Sequence, residues 1–438
     1  MQALLSFEQA PPFAAPFRFF LTAPLFPLLA GVLLLVGGGE TLVSRWAPGA
    51  LALTHLIAVG FVLQVMLGAM IQILPVVAGA NLRRPLLVAR SVHVLLLAGV
   101  LALVGGFLGL LPGGFSLAAL LLGAGVGFFL VMAALSLRGV PPTSPTIASL
   151  KLALLALLGV LALGIALAGG LDGRWSLPLV ELTNIHASWG LGAWGLGLLS
   201  AVAYVVVPMF QLTPGYPLWF SRLYGRALVI TVVLTTLAVL AGYEALAALA
   251  QSLLVWLAAA FCVMTLWLQR GSKRARPDTT QRLWRGAMYS GLAACALWEA
   301  AALVPALAAR DEWPLLFGVL VLGGGFMSVI VGMLYKIVPF LVWLHLQNRG
   351  QGKVVAPNMK AVLAEVPMRR QMRVHFAACA LLAGAALWPA GLARPAGLAL
   401  LVAALLLAHN LFAALGVYRR HVRVVDARLA ELGMEPRR

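Results

Sequence analysis

Two apolar stretches of this chain each place a histidine near their start and a proline about six turns later. The first runs from Thr54-His55-Leu56 through Gly60-Phe61 to Gln72-Ile73-Leu74-Pro75. The second runs from Asn184-Ile185-His186-Ala187-Ser188-Trp189-Gly190 to Val207-Pro208. A third, Gly325-Phe326-Met327 to Val338-Pro339, keeps the Gly-Phe pair and the proline but has no histidine. An imidazole inside hydrocarbon is costly and usually has a partner there, and haem iron and copper are natural ones. His55 and His186 are therefore candidate metal ligands. Thr54, Asn184 and Ser188, close in sequence, are candidates to orient them through the second ring nitrogen. One pattern written three times also says that the fold is built from repeats.

Other residues carry weaker signals. His409, next to Asn410, falls in the middle of the last apolar run, where it is either a further axial ligand or a neutral histidine bonded to a carbonyl. Met327 is either a thioether ligand or an ordinary core methionine. Glu299, beside Trp298, is an intramembrane carboxylate suited to a proton or cation path, or else a residue reaching the outer surface. Glu181, just before the second histidine-bearing run, joins it as a candidate for that path. His93, His345, His375 and His421 sit among basic residues and read as interfacial, and Lys336 reads as a snorkelling cation. Cys262, Cys295 and Cys379 fall singly, so they form neither a Cys-x-x-Cys metal site nor a c-type haem attachment.

The elements that must position these residues are membrane helices. The chain of 438 residues is 62% hydrophobic and 10% charged, with a mean hydropathy of +1.00, whereas a soluble domain is about a quarter charged. Twelve apolar runs are long enough to cross a bilayer, at 17–37, 50–78, 91–112, 114–137, 146–169, 182–212, 219–242, 244–268, 283–306, 313–346, 374–393 and 396–418. The first follows a Pro-rich lead, Ala10-Pro11-Pro12, without a basic start or a small-residue cleavage site, so it reads as a retained helix. The expected fold is all-α: a polytopic bundle forming a single transmembrane domain over 1–438.

Charge placement orients the runs. Arg and Lys crowd the even connections (Arg83, Arg84, Arg90, Arg138, Lys151, Arg222, Arg226), two basic loops from Arg270 to Arg285 and from Arg349 to Arg373, and the tail from Arg419 to Arg438. The odd connections hold only Arg45, Arg174, Arg310 and Arg394, together with Glu40, Asp172, Glu181, Asp311 and Glu312. This bias places both termini in the cytoplasm of a bacterial cell, with the chain in its inner membrane. The net charge of +18 then reflects topology and attraction to the anionic leaflet of the lipid bilayer. Nucleic acid is not an expected partner, because the basic residues are spread over several loops. Runs two, six and ten all travel inward from the outer face, so His55 and His186 lie one to two turns below it. The repeats are expected as four-helix groups at 17–137, 146–268 and 283–418 around a pseudo-threefold axis.

Twelve helices, cytoplasmic termini and histidines near the outer ends of helices two and six resemble subunit I of the haem–copper oxidases. The chain is more closely similar to the NnrS-like branch of that superfamily, in which Pro16-Phe17-Arg18-Phe19-Phe20 and a histidine-bearing Gly60-Phe61 helix find counterparts. The resemblance implies a b-type haem on His55, and copper or a second-site metal on His186. It further implies a role in nitric oxide tolerance or respiratory-chain support, with a respiratory complex or a second copy of the chain as partner. The departures are equally informative. Neither the seventh nor the tenth run supplies the further histidines of a binuclear centre, so the chain is not expected to be a terminal oxidase. The competing class is a 12-helix secondary transporter with structural histidines. Transporters usually show two similar halves, whereas here the pattern recurs three times.

Overall fold

In the computed structural model, which describes residues 6–435, all regular structure is helical and no strand occurs among the described residues. Ten helices are long and apolar enough to cross a membrane. They are α1 (Ala14–Leu42), α2 (Pro48–Ala78), α3 (Pro85–Phe107), α4 (Gly114–Ser136), α5 (Pro145–Leu171), α6 (Leu179–Gln211), α7 (Leu218–Leu240), α8 (Glu244–Arg270), α10 (Glu312–Arg349) and α12 (Pro389–Glu431). The two remaining long helices, α9 (Thr279–Leu303) and α11 (Glu365–Leu387), match them in length but are less apolar. Arg282, Arg285 and Glu299 lie on α9, and Glu365, Arg369, Arg370 and Arg373 on α11. Arg437 and Arg438 of the expected cytoplasmic tail lie outside the described residues.

The sequence sets most of the helix ends. Proline opens α2, α3, α5 and α12, where its missing N–H costs nothing. Ser144 caps α5 by accepting from the Ile147 N–H, and Asp278 caps α9 by accepting from the Gln281 N–H. The eleventh apolar run was misplaced by the sequence reading. Its helix starts at Glu365, ends at Leu387, and gives way at Trp388 to Pro389, the first residue of α12. Hydropathy missed the first turns because Arg369, Arg370 and Arg373 mask them.

Outside the bundle, α4, α7 and α8 present large apolar side chains such as Leu120, Ile230, Leu249 and Trp256. Such a belt suits a lipid bilayer and would be a liability in water. Inside, contact is close where glycines meet. A Cβ added to Gly397 on α12 would lie 2.8 Å from the Gly31 carbonyl oxygen and 2.8 Å from Leu34 Cβ on α1. Small residues permit this backbone approach between membrane helices. Gly397→Val is therefore expected to destabilise the bundle by about 1–3 kcal/mol, as overpacking does. Thermal unfolding of the detergent-solubilised variant should show a lower midpoint, and an unchanged midpoint would contradict the packing.

The helices α2, α6 and α10 share a feature that sets them apart. Each carries a π-helical stretch, Leu56–Leu63, Ser188–Leu196 and Val319–Met327 respectively. In each, the internal proline (Pro75, Pro208 or Pro339) lies twelve residues beyond the end of that stretch. π-Helical turns are rare and recur at functional sites. The stretches of α2 and α10 pack against one another. A Cβ on Gly195 of α6 would come within 2.9 Å of the Phe326 ring from α10. The three π-helical stretches therefore converge inside the bundle.

Three side chains expected at the membrane surface are internal instead. His93 of α3 meets the Thr22 hydroxyl at 2.8 Å, and that hydroxyl accepts from Gln64 Nε2 at 2.6 Å. His375 of α11, 1% exposed, meets the Ser328 hydroxyl at 2.8 Å. Lys336 pairs with Asp278 at 2.7 Å rather than snorkelling outward. In each case a polar partner on, or capping, a neighbouring helix makes burial affordable, and a one-dimensional reading of charge cannot show such a partner.

Candidate functional site

His55 is the last residue of the α-helical turn that opens α2, and the π-helical stretch begins at the next residue. Its Nδ1 lies 2.8 Å from the Leu51 carbonyl oxygen one turn earlier. With Nδ1–H donating there, the Nε2 lone pair is left for a ligand. The ring packs against Phe107 of α3, with centroids 5.0 Å apart and planes inclined by 33°.

His186 occupies the matching place on α6, two residues before the stretch that starts at Ser188. Its Nδ1 is buried and makes no hydrogen bond of ordinary geometry, although the Val160 backbone on α5 lies near enough to interact with the ring. The ring faces α5, where a Cβ on Gly164 would lie 3.4 Å from its Cε1. The His55 and His186 imidazoles lie within electrostatic reach of each other, although 131 positions separate them in sequence. One turn beyond His186, a Cβ on Gly190 would meet no atom within 4 Å.

A cation is held two residues before His186. Arg45, in the connection between α1 and α2, donates from Nη2 to Asn184 Oδ1 at 2.6 Å, and its guanidinium lies 4.2 Å from the Trp46 ring centroid. Burial lowers its pKa below the ordinary arginine value. Among the described residues no carboxylate pairs with it.

The side chains expected to orient the histidines do other work. Thr54 donates to the Ala50 carbonyl at 2.9 Å, Ser188 donates to the Asn184 carbonyl at 2.9 Å, and the Asn184 side chain holds Arg45. On a helix these short polar groups bond back to the preceding turn in preference to a neighbouring ring. The Leu51 carbonyl takes the orienting role at His55. Arg45 and Phe107 were missed as well. Arg45 left a signal, being one of few cations in the odd-numbered connections, whereas nothing marked Phe107.

The other candidates are not gathered here. His409 is exposed on the outer surface of α12, while its neighbour Asn410 is buried and donates to the Tyr335 hydroxyl at 3.0 Å. Met327 is buried at the end of the third π-helical stretch. Glu299 lies between α8 and α9, with one oxygen 3.5 Å from the Ser252 hydroxyl and the other buried without a partner. Glu181 is exposed in the first turn of α6.

The donor set discriminates between cofactors. No group of three or more His, Cys, Asp or Glu residues able to hold a metal ion occurs among the described residues. A haem needs only one or two axial donors, because the porphyrin supplies the rest. Two imidazoles within electrostatic reach of each other, with a cation that no carboxylate neutralises held two residues before one of them, are compatible with that requirement. No protein-family model matches the chain, and no curated protein matches it.

Proposed function

We propose that the chain is a haem-binding membrane protein of the NnrS-like type, in which His55 and His186 hold a b-type haem. The observation that carries this reading is the pair itself. The two imidazoles occupy matching places on α2 and α6, within electrostatic reach of each other, one with Nε2 free and the other with a buried Nδ1 that makes no hydrogen bond. When bound, the haem would supply reversible one-electron chemistry and a coordination place for nitric oxide. The Leu51 carbonyl fixes the His55 ring, Phe107 supports its face, and Arg45 offers a cation to an acidic group of the porphyrin. Copper is left without the three-donor site that it usually takes, so haem alone is the reading put forward.

The proposal includes twelve spans, with α9 and α11 crossing alongside the ten more apolar helices, in three groups of four. Both termini lie in the cytoplasm and the histidine pair lies toward the periplasm of the inner membrane. The matching π-helical stretches and prolines of α2, α6 and α10 support the threefold grouping. The internal partners of His375 and Lys336 support α9 and α11 as members of the bundle. Reporter fusions after Gly350 and at the C-terminus are expected to read cytoplasm, and a fusion near Asp311 periplasm. A periplasmic C-terminus would sink both the span count and the depth assigned to the histidines. Nitric oxide tolerance or support of a respiratory complex is the physiological role proposed for such a haem.

A further inference from the structure

Several cations at the basic ends of the helices are neutralised within the chain. Arg274 and Lys336 pair with Asp278, and Arg349 pairs with Asp426. Where α1 meets the start of α3, three arginines have no such partner. Arg84 and Arg90 line a groove of about 370 Å³ with Pro12, Pro85, Leu86 and Leu87. Arg18 of α1 lies within electrostatic reach of Arg90, so the two guanidiniums repel one another. Among the described residues no carboxylate pairs with any of the three. Arg18 Nε donates only to the Ala14 carbonyl of its own helix, at 2.9 Å. Like charges gathered in this way are relieved by an anion from outside the chain.

The groove is within the size range of small-molecule sites, and its chemistry has two parts. The arginine forks match the paired oxygens of a phosphate. Beyond them, an apolar stripe continues along α3. Leu87, Arg90, Val94, Ala98 and Leu101 follow one another at three- and four-residue steps, so they share one face of the helix. All five are exposed. A free phosphate ion would answer the arginines and leave the stripe unused. An anion with its charge at one end of a long apolar body answers both. We propose that this groove holds an anionic phospholipid, its phosphate on Arg18, Arg84 and Arg90 and one acyl chain along the exposed face of α3. Basic pockets between membrane helices recognise acidic head groups by the same chemistry. The assignment needs a bilayer, but neither a haem nor a particular sidedness.

The test is native mass spectrometry of the full chain released from nanodiscs of dioleoylphosphatidylglycerol and dioleoylphosphatidylcholine in equal parts. The first lipid retained should be phosphatidylglycerol, preferred by roughly 10–100-fold, since each arginine near an anionic surface is worth about fivefold. Arg18→Gln, Arg84→Gln and Arg90→Gln should each cut that preference about fivefold, and the triple variant should erase it. Arg226→Gln, at an exposed position on α7, should leave it unchanged. None of the three groove arginines leaves an ion-pair partner stranded, so far-UV circular dichroism should stay helical throughout. Equal retention of both lipids by the native chain would overturn the proposal. So would a preference that survives the triple substitution, or one that falls as far in Arg226→Gln. Displacement of the lipid by millimolar inorganic phosphate would show a free-anion site and would overturn it too.

Discussion

His55→Ala is expected to release the haem or to convert a six-coordinate spectrum to a five-coordinate one, while far-UV circular dichroism stays helical. The ring is half-buried at the edge of the bundle and makes one side-chain hydrogen bond, to a carbonyl of its own helix. Its removal therefore leaves no partner on another helix stranded and should cost the fold little. An axial ligand has no substitute nearby, because no third histidine joins the pair, so the loss of haem should be large. His186→Ala should have the same effect. Imidazole added to either variant should restore much of the six-coordinate spectrum, which a merely structural role would not allow. Unchanged haem content and spectra in both variants would remove the site and leave the transporter reading, with structural histidines, ahead.

Arg45→Gln is expected to weaken haem retention by roughly 10–100-fold while leaving the spectrum six-coordinate. Arg45 is a partly buried guanidinium whose polar partner is neutral, Asn184. A hydrogen bond to a charged group is worth about 1.5–3 kcal/mol, which sets that range. Glutamine keeps a donor for Asn184 and removes the charge, so the fold should survive. Arg45→Lys should lie between the two, because a point charge replaces a fork of donors. The rate at which haem leaves for a scavenging apoprotein measures the effect, and identical rates in all three proteins would show that Arg45 does not hold the haem.

Much of this arrangement was legible in the chain. Apolar runs bounded by proline located the helices well, because a membrane helix must satisfy its own backbone and shows this as unbroken hydropathy. The threefold pattern was visible in Pro75, Pro208 and Pro339 before any coordinate. The π-helical turns that accompany them were not, since a change from four- to five-residue hydrogen bonding leaves composition untouched. The start of α11 was hidden by its arginines. His93, His375 and Lys336 were placed at the surface because their partners, Thr22, Ser328 and Asp278, lie 71, 47 and 58 positions away. Likewise, the sequence singled out His55 and His186 separately, while their electrostatic reach of each other and the bond from Arg45 to Asn184 depend on how the helices pack.

The most direct measurement is the absorption spectrum of the purified protein from haem-replete cells, as isolated, after dithionite, and then after carbon monoxide. A Soret band with the sharp reduced bands of a six-coordinate b-type haem is expected, near one haem per chain and lost in both His55→Ala and His186→Ala. A well-folded, helical protein with no Soret band, even after incubation with haem, would show that His55 and His186 hold no haem.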